Sequence, residues 1–483
     1  MANYRSPGVY VEEISTLPPS IAEVESAVPA FIGYTQIATN LATDDLAGVP
    51  TPINSMVDYI QYFGGPDIES GANLTIAVDE QQSGGKTTGY TTKLTFANAS
   101  MSKHILYHAV NLYFANGGTR CYIVSVGKYS DSIAIGDATH GLLGGLATIG
   151  TEDGPTILLA PEAIYLGAQF NSFNEAMLLQ ASTLGDRFAI IDTDQTTVPK
   201  STSSVASDVA TAIDALPAGS SESSYGAVYY PFLQTSYNYQ FNFDALTITT
   251  YTVNGATPTP NPNQGATLGS LKTTASLLYN SVLTQYQGYF ITLPPSAAIA
   301  GVYCNVDATR GVWKAPANVS LNSVVKASVS VSRNEQDLLN VNDQTGKSVN
   351  AILNSPNFGT LVMGARTLDG NSNEWRYINV RRFFITVEQS IKNSTASFVF
   401  EPNTAATWVK VQAMISNYLF LKWRDGALAG AKPDQAFFVN VGLGSTMTSF
   451  DILEGKMIIE VGMAVARPAE FIVLRFEQML QTS

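Results

Sequence analysis

The spacing of apolar residues along this 483-residue chain changes period many times, and each change marks an element. "PAFIGYT" (Pro29–Thr35) is a continuous apolar run bounded by a breaker, which predicts a buried strand. In "INSMVDYIQYFGG", Met56, Tyr59, Ile60 and Phe63 share one helical face, and Gly64 stands where a helix would stop. A helix through Ile105, Ala109 and Leu112 then leads by Asn116-Gly117-Gly118 into the strand "RCYIVSV". The same alternation runs on. "PTILLAPE" is a strand and "NSFNEAMLLQASTLG" a helix. "RFAIIDTD" is a strand, "VASDVATAIDAL" a helix and "GAVYYPFL" a strand. Strands that alternate with helices predict a largely parallel sheet covered by helices.

Three kinds of segment break the alternation. Residues 66–100 are polar, Gly-rich and alternating, as in a β-hairpin insertion. Residues 235–285 hold the Pro/Gly/Asn/Thr stretch "NGATPTPNPNQGATLG", which predicts the tip of a second insertion. The α/β pattern returns with "GYFITLPPSAAIAGVY" and ends near Leu368. From Glu374, "WRYINVRRFFITVEQSI" reads as strand or helix. A long helix follows "FEPN", with Asn403 as its expected N-cap, Trp408, Val411, Ile415 and Leu419 at helical spacing, and Gly426 as its terminator. Both chain ends read as extended strands: Val9 to Glu12, set off by Pro7-Gly8, and "PAEFIVLRFEQML", where Ile472, Leu474 and Phe476 alternate. The expected organisation is therefore an N-terminal arm (1–22), an α/β domain with two insertions (23–368), a C-terminal α+β domain (369–469) and a C-terminal arm strand (470–483).

Composition narrows the function. Charged residues are 13% of the chain against about 25% in an average soluble domain. So uncharged a surface fits subunits that face other copies, and equally a neutral Thr/Asn-rich globular protein. The net charge of −13 and the absence of any basic cluster argue against nucleic acid or an anionic membrane as partner. "MANYRSPGVY" shows no signal-peptide pattern, and no apolar run reaches membrane-spanning length. Cys121 and Cys304 sit in no metal-ligand spacing, and a reduced, cytoplasmic site of synthesis fits them.

Candidate chemistry is sparse. Asp192-Thr193-Asp194-Gln195-Thr196 follows an apolar strand and matches the Asp-x-Asp-x-Thr nucleophile motif of haloacid-dehalogenase-type phosphatases. There Asp192 would attack phosphorus and Asp194 act as acid and base. The later carboxylate pair that such an enzyme needs is missing, and a strand end capped by turn-forming Asp residues accounts for the motif. "GGKTTG" (Gly84–Gly89) lacks the earlier P-loop glycine and lies in the predicted hairpin. His104 and His108 share a helix face, but Ile105 stands where a zincin has Glu, and two ligands do not close a zinc site. No cofactor is expected.

The order and spacing of several segments resemble the contractile tail sheath family of bacteriophages, phage-tail-like bacteriocins and extracellular contractile injection systems. They are "SPGVYVEEI", "FIGYT", "NLYFANGGTRCYIV", "YGAVYYPFL", "PPSAAIAGVYCNVDATRGVWKAPAN", "GARTL", "VRRFFITVEQSI", "FEPN" and "RPAEFIVLRF", and they span nearly the whole chain. One departure is Asn440-Val441-Gly442, where many relatives carry a Cys or an acidic pair. The resemblance implies a subtilisin-like α/β central domain without catalytic residues and a C-terminal α+β domain that lines a hollow cylinder.

It also implies a role: a structural subunit that polymerises helically around an inner tube protein and contracts to drive the tube through an envelope. The phosphatase remains the alternative reading. Expected partners are further copies of the chain, the tube, and baseplate and tail-terminator or cap proteins. Made in the bacterial cytoplasm, the chain would become part of a virion tail or a phage-tail-like particle. Val9, Tyr10 and Val11, with Ile472, Val473, Leu474 and Phe476, are the expected stitches, each arm adding a strand to a neighbour's sheet. Lys410, Lys422 and Arg424 on the long helix are the expected tube-facing cations; they equally fit a solvated face with cations at a helix C-terminus.

Overall fold

The computed structural model describes residues 20–194, 216, 221–261, 263–342 and 345–471. They fall into two compact units. One comprises 20–24 and Thr386–Ala466, the other Glu25–Ile385 and 467–471. The division lies inside the helix Ile378–Thr395, a segment that was open to either a strand or a helical reading and is helical throughout. Residues 369–385 therefore fold with the α/β unit, where Arg366, Thr367 and Asp369 hold the loop that precedes that helix.

The α/β unit is built on one long sheet. Its parallel core runs β5 (Cys121–Lys128), β1 (Pro29–Thr35), β6 (Ile157–Leu159), β7 (Phe188–Ile191), β8 (Gly226–Tyr230) and β14 (Val349–Ser355). Antiparallel strands close both edges. β2 (Thr51–Ile53) lies beside β5, and β15 (Gly359–Val362) with β12 (Val319–Ser320) lies beyond β14. Every residue of β1, β6, β7 and β8 is buried, as a sheet covered on both faces requires. The covering helices include Leu106–Ala115, Gly141–Ile149, Phe170–Leu184 and Ser296–Arg310. The helix expected over "VASDVATAIDAL" lies outside the described residues except for Leu216, which is buried.

The helix Met56–Phe63 forms as its pattern requires, capped by Ser55, and Gly64 ends it at φ +83°. Tyr59 and Phe63 are buried, but Ile60 is half exposed, so the apolar stripe is narrower than the pattern suggested. The two expected insertions are one subdomain. β3 (Leu74–Ser83) and β4 (Lys86–Phe96) form the hairpin, and β10 (Thr250–Val253), from the second insertion, pairs in parallel with β3. Leu74, Ile76, Val78, Tyr251, Leu268, Leu278 and Val282 make a core separate from that of the main sheet. A lone hairpin is marginal in water, and the helices Leu268–Thr274 and Ser276–Gln287 cover it.

The C-terminal unit packs the helix Ala405–Arg424 on a two-stranded antiparallel ribbon of β16 (Phe437–Val441) and β17 (Ile459–Met463), in register Phe437↔Met463 to Val441↔Ile459. Its N-cap is Thr404, one residue after the expected Asn403. Asn403 instead accepts from the Trp408 indole and donates to the Lys456 carbonyl. Gly426 follows the helix at φ +87°, the left-handed turn that a helix stop favours. Among the described residues no helix is long and apolar enough to cross a membrane.

Candidate functional site

In an open α/β sheet, ligands bind where neighbouring strand connections leave in opposite directions. Here that point lies between the C-terminal ends of β1 and β6. It is filled by Glu162, which follows β6 and is fully buried. Its carboxylate accepts from the Tyr34 N–H at 2.7 Å and from the Leu106 N–H at 3.1 Å, at the N-terminus of the helix Leu106–Ala115. A helix N-terminus is a ready anion site, so an internal carboxylate stands where a bound anion would. Gly33 allows the approach, since a Cβ there would lie 2.7 Å from Glu162 Oε2. Burial pushes the Glu162 carboxyl up to about 8, against the N–H groups of Tyr34 and Leu106, which pull it down. Nearby, His104 stacks on Tyr129 and meets Tyr34 at a tilt.

Asp192 does similar work at the end of β7. Buried, it accepts from the Ser296 N–H at 2.8 Å and Ser296 Oγ at 2.6 Å, tying β7 to the first turn of the helix Ser296–Arg310. Burial pushes its carboxyl up to about 7, partly offset by the two Ser296 bonds. A buried carboxylate occupied in this way is not placed to attack a phosphoryl group, and the turn-and-cap reading of the motif fits it. "GGKTTG" forms the tip of the β3–β4 hairpin, with Gly84 and Gly85 at positive φ. His108 is buried, and burial pushes its imidazole down to about 4. Among the described residues no cluster of three His, Cys, Asp or Glu side chains has the arrangement of a metal site.

The C-terminal unit has a different character, with large apolar side chains at its surface. Phe438 on β16, Leu443 after it, Phe450, Leu453 and the fully exposed Phe400 all face solvent. Among the described residues each ribbon strand has one neighbouring strand only; on β16 the Val439 carbonyl is taken by Gln412 Nε2 of the long helix at 2.7 Å. The helix Ala405–Arg424 shows an exposed stripe that includes Val409, Lys410, Phe420, Leu421 and Arg424. Lys410 and Arg424 lie within about 40° of each other around the helix. Lys422 does not share that stripe. It is buried, its ammonium 2.5 Å from Glu23 Oε2 and over the Tyr418 ring, so of the three expected tube-facing cations it is the one withdrawn from the surface. The reason is its position on the helix, which faces the incoming N-terminal segment.

The expected arm residues Val9, Tyr10, Val11, Ile472, Val473, Leu474 and Phe476 lie outside the described residues, but both arm roots are inside them. At the N-terminal root, Glu23 pairs with Lys422, and the Val24 N–H donates to Ser390 Oγ at 3.1 Å. Just beyond, Ser26 Oγ donates to Asp307, whose carboxylate takes both ends of the Arg382 guanidinium at 3.1 and 2.6 Å. At the first residue of the C-terminal arm, Glu470 accepts from Arg366 Nε at 2.9 Å and Nη2 at 2.6 Å. Sequence reasoning missed Glu162, Asp307–Arg382 and Arg366–Glu470. Only Glu162 carried a local signal, an acid directly after an apolar strand; the ion pairs join residues far apart in the chain.

Residues 371–479 match the family model of the phage tail sheath C-terminal domain. The chain is 31% identical to a protein of the contracted sheath complex of PVC, an extracellular contractile injection system. The likeness covers 98% of each chain, with a TM-score of 0.61. It is also 31% identical to a chain of the anti-feeding prophage (AFP) baseplate, covering 99% of this chain and 100% of that one, at TM-score 0.61. A third likeness, to the contracted AFP helical sheath, is 30% identical over 98% of this chain and 99% of that one, at TM-score 0.62. A search of curated proteins gives no match.

Proposed function

The chain belongs to the contractile tail sheath family and is a structural subunit of a contractile sheath, and on that premise we propose how it assembles and what it touches. Copies polymerise helically around an inner tube, and the ribbon of β16 and β17 receives arm strands from neighbouring copies. The observation that carries this reading is the ribbon itself. Among the described residues the ribbon has no third strand, and a strand added from another copy would extend its pairing. Residues 9–11 and 472–476 supply the added strands. A contact between different surfaces of identical subunits, where its rotation does not close a ring, propagates a helix. Connections made through arm strands then allow rigid-body rotation during contraction without loss of connectivity.

Lys410 and Arg424, with the apolar stripe between them, face the tube, while Lys422 holds the N-terminal root. The sheath joins a baseplate at one end, as its AFP relatives suggest, and a terminator or cap at the other. It belongs to a phage-tail-like extracellular contractile particle and is made in the cytoplasm of the producing bacterium. It catalyses no reaction: the free-energy difference that drives contraction is stored during assembly. The burial of Glu162 and Asp192, each used as a helix-terminus acceptor, supports a scaffold over a phosphatase.

Deletion of residues 1–15 tests the reading. The truncated chain should melt like the full chain, yet give at least about tenfold fewer cylinders in negative-stain images, since each lost strand removes a set of inter-subunit main-chain bonds. Cylinders of normal length and number from the truncated chain would refute the stitch.

A further inference from the structure

The chain takes an indirect route to its C-terminal arm. It leaves the α/β unit at Ile385, builds the C-terminal unit to Ala466, and then rejoins the α/β unit before the arm begins. What holds it there is Glu470. Both carboxylate oxygens meet Arg366, one at Nε and one at Nη2, and the Tyr377 hydroxyl lies 3.3 Å from the second. The third guanidinium nitrogen, Nη1, donates to the Gly370 carbonyl at 2.9 Å. Arg366 is 6% exposed and the Glu470 side chain 23%, so the guanidinium end of this two-pronged pair is withdrawn from solvent while the carboxylate end stays partly accessible.

Arg366 is itself pinned to the main sheet. Asn350 on β14 accepts from the Arg366 N–H at 2.8 Å and donates to the Arg366 carbonyl at 2.8 Å. The same amide donates to the Val228 carbonyl on β8 at 3.1 Å. A continuous line of hydrogen bonds therefore runs from β8 through Asn350 and Arg366 to Glu470, one residue before the exposed Phe471. The N-terminal root has a different anchor, Lys422 and Ser390 of the C-terminal unit.

We propose that Arg366 is a positioning residue for assembly: its pair with Glu470 fixes the point from which the C-terminal arm reaches a neighbouring copy, and passes pull on that arm into the main sheet. The inference rests on the arm reading given under Proposed function. It assigns the two arms to different bodies, the N-terminal arm to the C-terminal unit and the C-terminal arm to the α/β unit. The number of residues between Glu470 and the added strand then sets the reach and register of that strand. Releasing the pair, or lengthening the chain just past it, should have the same consequence.

The test uses the full chain in four forms beside wild type: Glu470→Gln, Arg366→Lys, a Gly-Ser-Gly-Ser insertion after Phe471, and deletion of 472–483. The insertion leaves the pair intact and adds roughly 13 Å of chain. Thermal melting of the unassembled chain is compared with the number and helical order of cylinders in electron micrographs. The expected result is unchanged melting for the insertion, with about a tenfold loss of ordered cylinders for it and for both substitutions, the effect of slack in a tether. Should a substitution also lower melting, the insertion decides alone. An insertion that assembles like wild type, while the deletion does not assemble, overturns this inference and leaves the arm reading standing. A deletion that assembles normally overturns both.

Discussion

The Asp307–Arg382 pair beneath the N-terminal root lends itself to a quantitative test. The side chains are 7% and 3% exposed, and the guanidinium lies 4.4 Å above the Tyr303 ring. Asp307→Ala leaves a buried cation without its carboxylate, which typically costs about 3–5 kcal/mol. Two features place the expected cost near the lower bound. Arg382 Nη2 keeps the Ser26 carbonyl at 3.0 Å, and the Tyr303 face continues to stabilise the charge. We therefore expect Asp307→Ala to lose about 3 kcal/mol. The double variant Arg382→Met/Asp307→Leu buries no charge and should lie within about 1 kcal/mol of wild type, because desolvating the pair offsets most of its attraction. Urea unfolding of the dilute, unassembled chain measures both, followed by tryptophan fluorescence, to which Trp313, 6.3 Å from Phe383 beside Arg382, contributes. A single variant that loses less than about 1 kcal/mol, or a double variant that loses as much as the single, would refute the assignment of this pair as a buried staple.

Two further predictions follow from the buried acids. The folded Glu162 carboxyl titrates near 8, above its unfolded value of about 4.3, so its contribution to stability is complete in acid and is lost as pH rises through 8. Melting temperature should therefore fall from pH 5 to pH 8 more steeply in wild type than in Glu162→Gln, and parallel curves would count against a protonated Glu162. Asp192→Asn should cost about 1–2 kcal/mol in urea unfolding, because the new amide NH2 cannot accept one of the two Ser296 bonds. Neither form should hydrolyse p-nitrophenyl phosphate with magnesium, and turnover lost in Asp192→Asn would revive the phosphatase reading.

The alternation of buried strands with helices was legible because it depends on local period alone. A run such as "FAII" has no polar face to turn to water, so it seeks a sheet covered on both sides. The long helix Ala405–Arg424 was legible for the same reason, and the positive-φ stop at Gly426 reads directly from residue type. The order of motifs along the chain carried the family resemblance. Three things were not legible. The two insertions proved to be one subdomain, because parallel pairing of Thr250–Val253 with β3 joins strands about 170 residues apart. Lys422 reads in sequence like Lys410 and Arg424, and only the arrival of Glu23 buries it. Arg366 looks like any arginine in a loop until Glu470 reaches it from 104 residues away. Periodicity is set by near neighbours, so the sequence by itself determined the elements and their class. Ion pairs and closed crevices depend on where distant segments meet, so only the tertiary structure decided which charges became anchors and which remained at the surface.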